Sequence, residues 1–253
     1  MTNYPTNQER TEEYFKKFNR EKTLKHLINK QELNVIDVGA NVGQTLKEFK
    51  QWWPKSIIHC FEPQEECWEL LSKSAENFQH KDVYINKTAV GNEAGKELVF
   101  YSHNVSSGVS GFNKVNLNSN DSIRLKEVQN QNSLNAYAQT LNHERRIKTI
   151  RLDDYIVEKG VKHIDLLKID TQGFEPEVLE GVGDQLRNVD VVLTELMFYD
   201  YYERSLSFLD IEQFLIPAGF RLYDINHISK NPMNGRTDWV DIIYVNKRLL
   251  NEE

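Results

Sequence analysis

Val35-Ile36-Asp37-Val38-Gly39-Ala40-Asn41-Val42-Gly43 sets an apolar run against a glycine-bearing turn, and Gln44 to Lys50 can then start a helix. A strand, a turn and a helix in that order make one unit of an open parallel sheet, with a crevice at the carboxyl end of the strand. Glycines there let the backbone come close to a ligand, and the helix start offers free N–H groups. The same rhythm continues outward. Strands are expected at Ile57 to Phe61, Val83 to Lys87, Ile164 to Ile169 and Val189 to Leu196, with helices near Asp153 to Glu158 and after Glu175. Leu209 to Leu215 reads as a helix stopped by Pro217 and Gly219, and Phe220 to Ile225 with Val240 to Val245 as a closing antiparallel pair. Short connections between alternating elements predict an α/β fold with a mostly parallel sheet.

Two stretches depart from the rhythm. Tyr14, Phe15, Phe18, Leu24, Leu27 and Ile28 recur at helical spacing among charges, so residues 1–32 read as a helical extension ahead of a domain at 33–253. Glu97 to Tyr101 reads as an extra strand, followed by a segment rich in Ser, Asn and Gly, a polar insertion at about 102–146 suited to a substrate lid. The rhythm is expected to resume with a strand at Ile147 to Leu152.

Composition narrows the function classes. Of 253 residues, 39% are hydrophobic and 27% charged, the balance of a folded globular chain. The net charge of −7 gives no basic field for nucleic acid or an anionic membrane surface, and neither is expected as a partner. No apolar run approaches the roughly 20 residues that cross a bilayer. Glu9, Glu12 and Glu13 stand where a secretory signal would need an apolar centre. With two cysteines, Cys60 and Cys67, in apolar patterns, a cytoplasmic protein with structural thiols is expected.

The crevice has a chemical character. Asp37 beside its opening suits a ligand with an ammonium group and would repel a pyrophosphate. The turn lacks the G-x-G-x-x-G spacing of dinucleotide sites. Nineteen residues after Gly43, Glu62 closes the second strand, where a carboxylate can take both hydroxyls of a ribose and would oppose the extra phosphate of NADP. S-adenosylmethionine carries both the ammonium and the ribose. Asp170, ending the strand Ile164 to Ile169, is the first candidate base, and Glu195 should stand beside it, so that the two could raise one pKa or hold Mg²⁺. Glu175, at a helix start, reads mainly as a favourable helix-end charge. His103, His143 and His227 are weaker bases, no His cluster has zinc spacing, and Arg145, Arg146 and Lys148 read as a solvated basic run.

The segments Val35 to Gly43, Phe61-Glu62-Pro63, Thr88-Ala89-Val90-Gly91 and Leu167-Lys168-Ile169-Asp170-Thr171-Gln172-Gly173-Phe174-Glu175 resemble, in order and spacing, the FkbM family of S-adenosylmethionine-dependent methyltransferases. The resemblance implies a Rossmann-like sheet of seven strands, the last antiparallel, with helices on both faces. It also implies methyl transfer to a hydroxyl of a small molecule, a sugar or a secondary metabolite. Carried over by position, Asp37, Gly39, Asn41 and Gly43 would surround the methionine part, Glu62 the ribose, and Ala89 with Val90 the adenine. Ser107 matches a serine of the family, while Gln172 departs from the family's frequent Glu before the glycine. An NAD-dependent oxidoreductase or epimerase, and a cofactor-binding assembly protein without catalysis, are the competing readings. The aromatic amino-terminal helices would serve a homo-oligomer.

Overall fold

The computed structural model describes residues 5–76, 78, 82–104, 106–119 and 138–250, so the first four residues and the 120–137 part of the expected insertion lie outside the described residues. The main sheet holds seven strands: β1 (Asn34–Val38), β2 (Ile57–Phe61), β3 (Val83–Asn86), β7 (Ile164–Ile169), β8 (Val189–Met197), β9 (Phe220–Lys230) and β10 (Thr237–Asn246). Their order is β3-β2-β1-β7-β8-β10-β9, and β10 runs antiparallel to both of its neighbours while the remaining neighbours pair parallel. This is the expected Rossmann-like arrangement, with the reversed strand last in the chain.

Alternation along the central strands feeds two cores. Ile36, Leu167, Val192 and Ile242 face one side with α5 (Leu152–Lys159), α6 (Glu175–Val182) and α7 (Phe208–Leu215). Val35, Leu166, Val191 and Ile243 face the other with α2 (Arg20–Ile28), α3 (Gln44–Trp52) and α4 (Glu65–Ala75). Strands covered on both faces read as near-continuous apolar runs, which is why β7 was visible in the sequence. Helix α2 puts Leu24 and Ile28 into the second core, whereas α1 (Asn7–Lys17) buries no residue and reaches the sheet through the Tyr14 hydroxyl, which donates to Asp224 Oδ2 at 2.8 Å. Both cysteines are free and buried. No described helix is long and apolar enough to cross a membrane.

One expected strand belongs elsewhere. The run around Ile147 does not rejoin the main sheet. It lies in β6 (His143–Ile150), which pairs antiparallel with β5 (Glu97–Ser102) and parallel with β4 (Ala89–Val90) in a separate three-stranded sheet. The insertion therefore ends before His143. Periodicity marks an extended segment but not its partner, and the solvent-facing residues Glu144, Arg145 and Arg146 gave the start of β6 the composition of a loop. Arg145 is also not free for a ligand, since its guanidinium forms a fork with Glu66 on α4.

Candidate active site

The turn after β1 is shaped by close backbone approach. The N–H groups of Gly39 and Ala40 both donate to the Phe61 carbonyl at 3.0 Å, tying the ends of β1 and β2. Gly39 has φ +82°, and a Cβ there would stand 1.9 Å from the Asp170 carbonyl oxygen, so no larger residue fits between β1 and β7. Asn41 also adopts a left-handed φ, and its Oδ1 accepts from the Ser107 hydroxyl at 2.9 Å. Gly43 caps α3 and packs against Ser74, standing back from the crevice.

Glu62 is buried at the end of β2, with one oxygen accepting from the Asn41 N–H at 2.8 Å and the other from the Gln64 N–H at 2.7 Å. Burial raises its pKa, and these hydrogen bonds work in the opposite direction. Each oxygen keeps a lone pair beyond its backbone bond, the arrangement a vicinal diol needs. Glu62 lines a cavity of about 360 Å³ together with Gly39, Asn41, Ala89, Val90 and Ser107. That volume suits a cofactor-sized ligand. Phe100, Phe112 and Phe174 add an apolar wall, with ring centroids 5.2 Å and 4.4 Å apart along the series.

Asp37 lies under the floor of this crevice, fully buried, and does not line it. Burial raises its pKa against the pull of Lys168, whose Nζ is 3.1 Å from Asp37 Oδ1. The same ammonium donates to the Gly39 carbonyl at 2.9 Å and stands 3.6 Å from Asp170 Oδ2. Burial works to strip the proton from Lys168, but Asp37 and Asp170 outweigh it and raise the pKa above the ordinary lysine range. Asp37 acts on the crevice through Lys168, and Lys168 is a lining residue that the sequence reading passed over.

Asp170 stands at the edge of the crevice, held from two sides. Its Oδ1 accepts from Gln172 Nε2 at 2.8 Å, and Gln172 Oε1 lies 2.9 Å from the Tyr202 hydroxyl. Gln172 thus has a use for the amide that departs from the family pattern, because a carboxylate there would face Asp170. Glu175 is not merely a helix-end charge. One of its oxygens accepts from the Thr171 N–H at 2.8 Å, the Thr171 hydroxyl at 3.0 Å and the Gly173 N–H at 3.2 Å, clamping the loop that carries Asp170. Burial pushes its pKa up to about 6.

The pairing of Ile169 with Thr194 brings Glu195 beside Asp170, and Asp241 of β10 pairs with Glu195 from the other side. Burial first, then Asp170, Glu175 and Asp241, raise the Glu195 pKa well above the ordinary carboxyl range. Burial likewise raises that of Asp241, against Arg20. Among the described residues, the ligand atoms of these carboxylates do not converge as a group of three. The described residues whose ligand atoms do converge are His163, Asp165 and Asp190, at the opposite, amino-terminal edge of the sheet, where Lys30 and Arg248 already pair with the acids.

Of the candidate histidines, His103 and His143 fall outside this centre. His103 is buried, its Nδ1 accepting from the Asn142 N–H at 3.0 Å, and burial lowers its pKa to about 4. His143 is exposed on β6, and His227 sits on β9 along an open groove next to the crevice.

The chain matches the family described as Methyltransferase FkbM domain over residues 37–222. It is 28% identical over 182 residues to the 2-O-methyltransferase NoeI of Sinorhizobium fredii, covering 71% of this chain and 70% of that one. Over 164 residues it is 32% identical to the 31-O-demethyl-FK506 methyltransferase FkbM of Streptomyces tacrolimicus, 59% of each chain. Methyltransferase 1 of Beauveria bassiana is 27% identical over 165 residues, 64% of each. The matched stretches span 59 to 70% of the length of these relatives.

Proposed function

The chain belongs to the Methyltransferase FkbM domain family of S-adenosylmethionine-dependent methyltransferases, and on that premise we propose that it methylates a hydroxyl oxygen of a small molecule, a sugar or a secondary metabolite. The observation that carries this reading is the pair Asp170 and Glu195, two adjacent carboxyl groups on the sheet edge beside the Glu62 crevice. The Sinorhizobium fredii relative, named as a 2-O-methyltransferase, agrees with it.

S-adenosylmethionine supplies an activated methyl group on a sulfonium. Glu62 would hold the ribose hydroxyls through its remaining lone pairs, Phe100, Phe112 and Phe174 together with Ala89 and Val90 would enclose the adenine, and the Gly39–Asn41 turn with Ser107 would meet the methionine part. Asp37, Lys168 and Asp170 sum formally to one negative charge under that end of the crevice, which favours a cationic sulfonium over its neutral product.

A hydroxyl acceptor must lose a proton as it is methylated, so a base is required where an amine acceptor would need less help. Asp170, which lines the crevice, takes that proton, with Glu195 adjacent on the sheet edge. Burial and the neighbouring acids raise the Glu195 pKa well above the ordinary carboxyl range, so that it holds a proton more readily than a free carboxylate. Gln172, Tyr202 and the Glu175 clamp fix Asp170 so that acceptor oxygen and methyl carbon meet in line.

Isothermal titration tests the first half: S-adenosylmethionine and S-adenosylhomocysteine should both bind, and Glu62→Ala should weaken binding at least tenfold through loss of charged hydrogen bonds. An absence of heat with both compounds would remove the proposed function.

A further inference from the structure

We propose that the open groove between the start of α2, α3 and the β9–β10 hairpin is the acceptor subsite, and that it selects a polyhydroxylated ring free of negative charge. This rests on the proposed methyl transfer and names its substrate class. The groove, of about 670 Å³, shares Arg20, Glu48 and Asp170 with the cofactor crevice, so the two cavities adjoin at the carboxylate assigned to the proton.

Its walls combine flat apolar surface with acceptors. Trp52 and Trp239 contribute half-buried indoles, and Trp239 stacks with His227 at 6.4 Å between ring centroids. Aromatic planes of this kind suit the C–H faces of a saturated ring. Glu48, Asp170, Glu195 and Asp241 supply carboxyl groups, and Glu195 accepts no hydrogen bond from the described residues. Ring hydroxyls can donate to these oxygens, whereas a purely apolar acceptor would strip water from Glu195 and give it no partner.

The charge balance excludes anions. Arg20 is the one lysine or arginine among the described lining residues, and it is already spent: it donates to Glu48 Oε2 at 2.5 Å and to Asp241 Oδ2 at 3.3 Å, and lies 5.7 Å from the Trp52 ring. A carboxylate, sulfate or phosphate on the acceptor would meet like charges with no lysine or arginine of the described lining free to answer it. Arg20 precedes the family-matched segment 37–222, and His227, Trp239 and Asp241 follow it. The acceptor groove is therefore shared between the flanks of this chain and Glu48, Trp52, Asp170 and Glu195 of the matched segment.

The test uses the full chain, labelled S-adenosylmethionine and three acceptors: a neutral methyl hexoside, the corresponding uronide, and an apolar cyclic alcohol. Cofactor binding is measured in parallel by titration. The hexoside should be methylated with kcat/KM at least about tenfold above that of the other two, the discrimination expected of a site with buried polar groups and like charge. Trp239→Ala should raise KM for the hexoside about tenfold with kcat and cofactor affinity within about twofold of the parent. Asp241→Asn, which releases Arg20, should narrow the gap between uronide and hexoside, and it serves if Trp239→Ala does not fold. Preference for the uronide or the apolar alcohol, or a KM and a uronide gap untouched by both variants, overturns the proposal. Cofactor binding without methylation of any of the three acceptors defeats this proposal alone, whereas loss of cofactor binding in the parent chain defeats the methyltransfer reading beneath it.

Discussion

Two groups of acids occupy opposite edges of the same sheet and meet opposite fates. At the amino-terminal edge, Asp165 and Asp190 are buried among Lys30, His163 and Arg248, and the Asp165 Oδ2 also accepts from the Asn34 N–H at 2.8 Å. Burial works to raise Asp190, but hydrogen bonds from Arg248 and His163 hold its carboxyl below the ordinary range. At the carboxyl edge, Glu195 and Asp241 are raised, because burial and neighbouring carboxylates outweigh the few cations in reach. The chemistry of the side chains is the same in both places; the number of cations is not. Paired acids brace strand starts, and acids left short of cations are poised to exchange protons.

Substitutions separate the two edges, and the largest effect is expected at Asp170. Asp170→Asn should lower kcat by about 10²- to 10⁴-fold, the range of a lost general base, with a much smaller loss of S-adenosylmethionine affinity from the lost charge and S-adenosylhomocysteine affinity within about twofold of the parent. An equal fall in cofactor affinity, read by titration, would move Asp170 from the proton to the ligand. Next, Asp190→Asn should lose about 2–3 kcal/mol in denaturant unfolding, as cations lose their buried partner, with kcat per folded molecule unchanged. A loss of turnover there would erase the distinction between the edges.

The smallest effect concerns pH. A carboxyl group whose folded pKa is raised binds more protons in the folded than in the unfolded chain, so Glu195 costs stability as pH rises from the ordinary carboxyl value through its raised one. Asp190, lowered, has the opposite sign: its contribution is present above the ordinary Asp value and is lost as pH falls through its folded pKa. Glu195→Gln should therefore gain stability relative to the parent as pH increases above about 4.5, and its kcat profile should lose the acidic limb that lies above the ordinary carboxyl range. Parallel stability curves for parent and variant across that window would show that Glu195 titrates normally.

The sequence was most informative where a short segment makes its own structure. The Val35–Gly43 strand and turn, Glu62 at a strand end and Asp170 at another each depend on neighbours in the chain, and all three reach one edge of the sheet. The nicotinamide alternative, drawn from the same turn, gave way once the family was known. Parts assembled from distant segments were hidden. Phe100, Phe112 and Phe174 come from three stretches that meet only in the fold, and β6 gave the signal of a strand without that of its partners. Lys168 did leave a trace: a lysine inside the otherwise apolar run Ile164 to Ile169 is an anomaly, since lysines are almost never buried without a charged partner. The same argument pairs Asp37, equally out of place in an apolar strand, with Lys168.

The span of the family match does not coincide with a unit that could stand alone. It begins inside β1, after Val35 and Ile36 have been laid into the two cores, and it ends at the third residue of β9, leaving β10 and the whole of α2 outside. A fragment trimmed to residues 37–222 would bare the edge of β8 and uncover the face on which Leu24 rests. Such a fragment invites aggregation rather than folding, so excision for expression or fusion has to follow hydrogen-bonded strands and not the limits of resemblance.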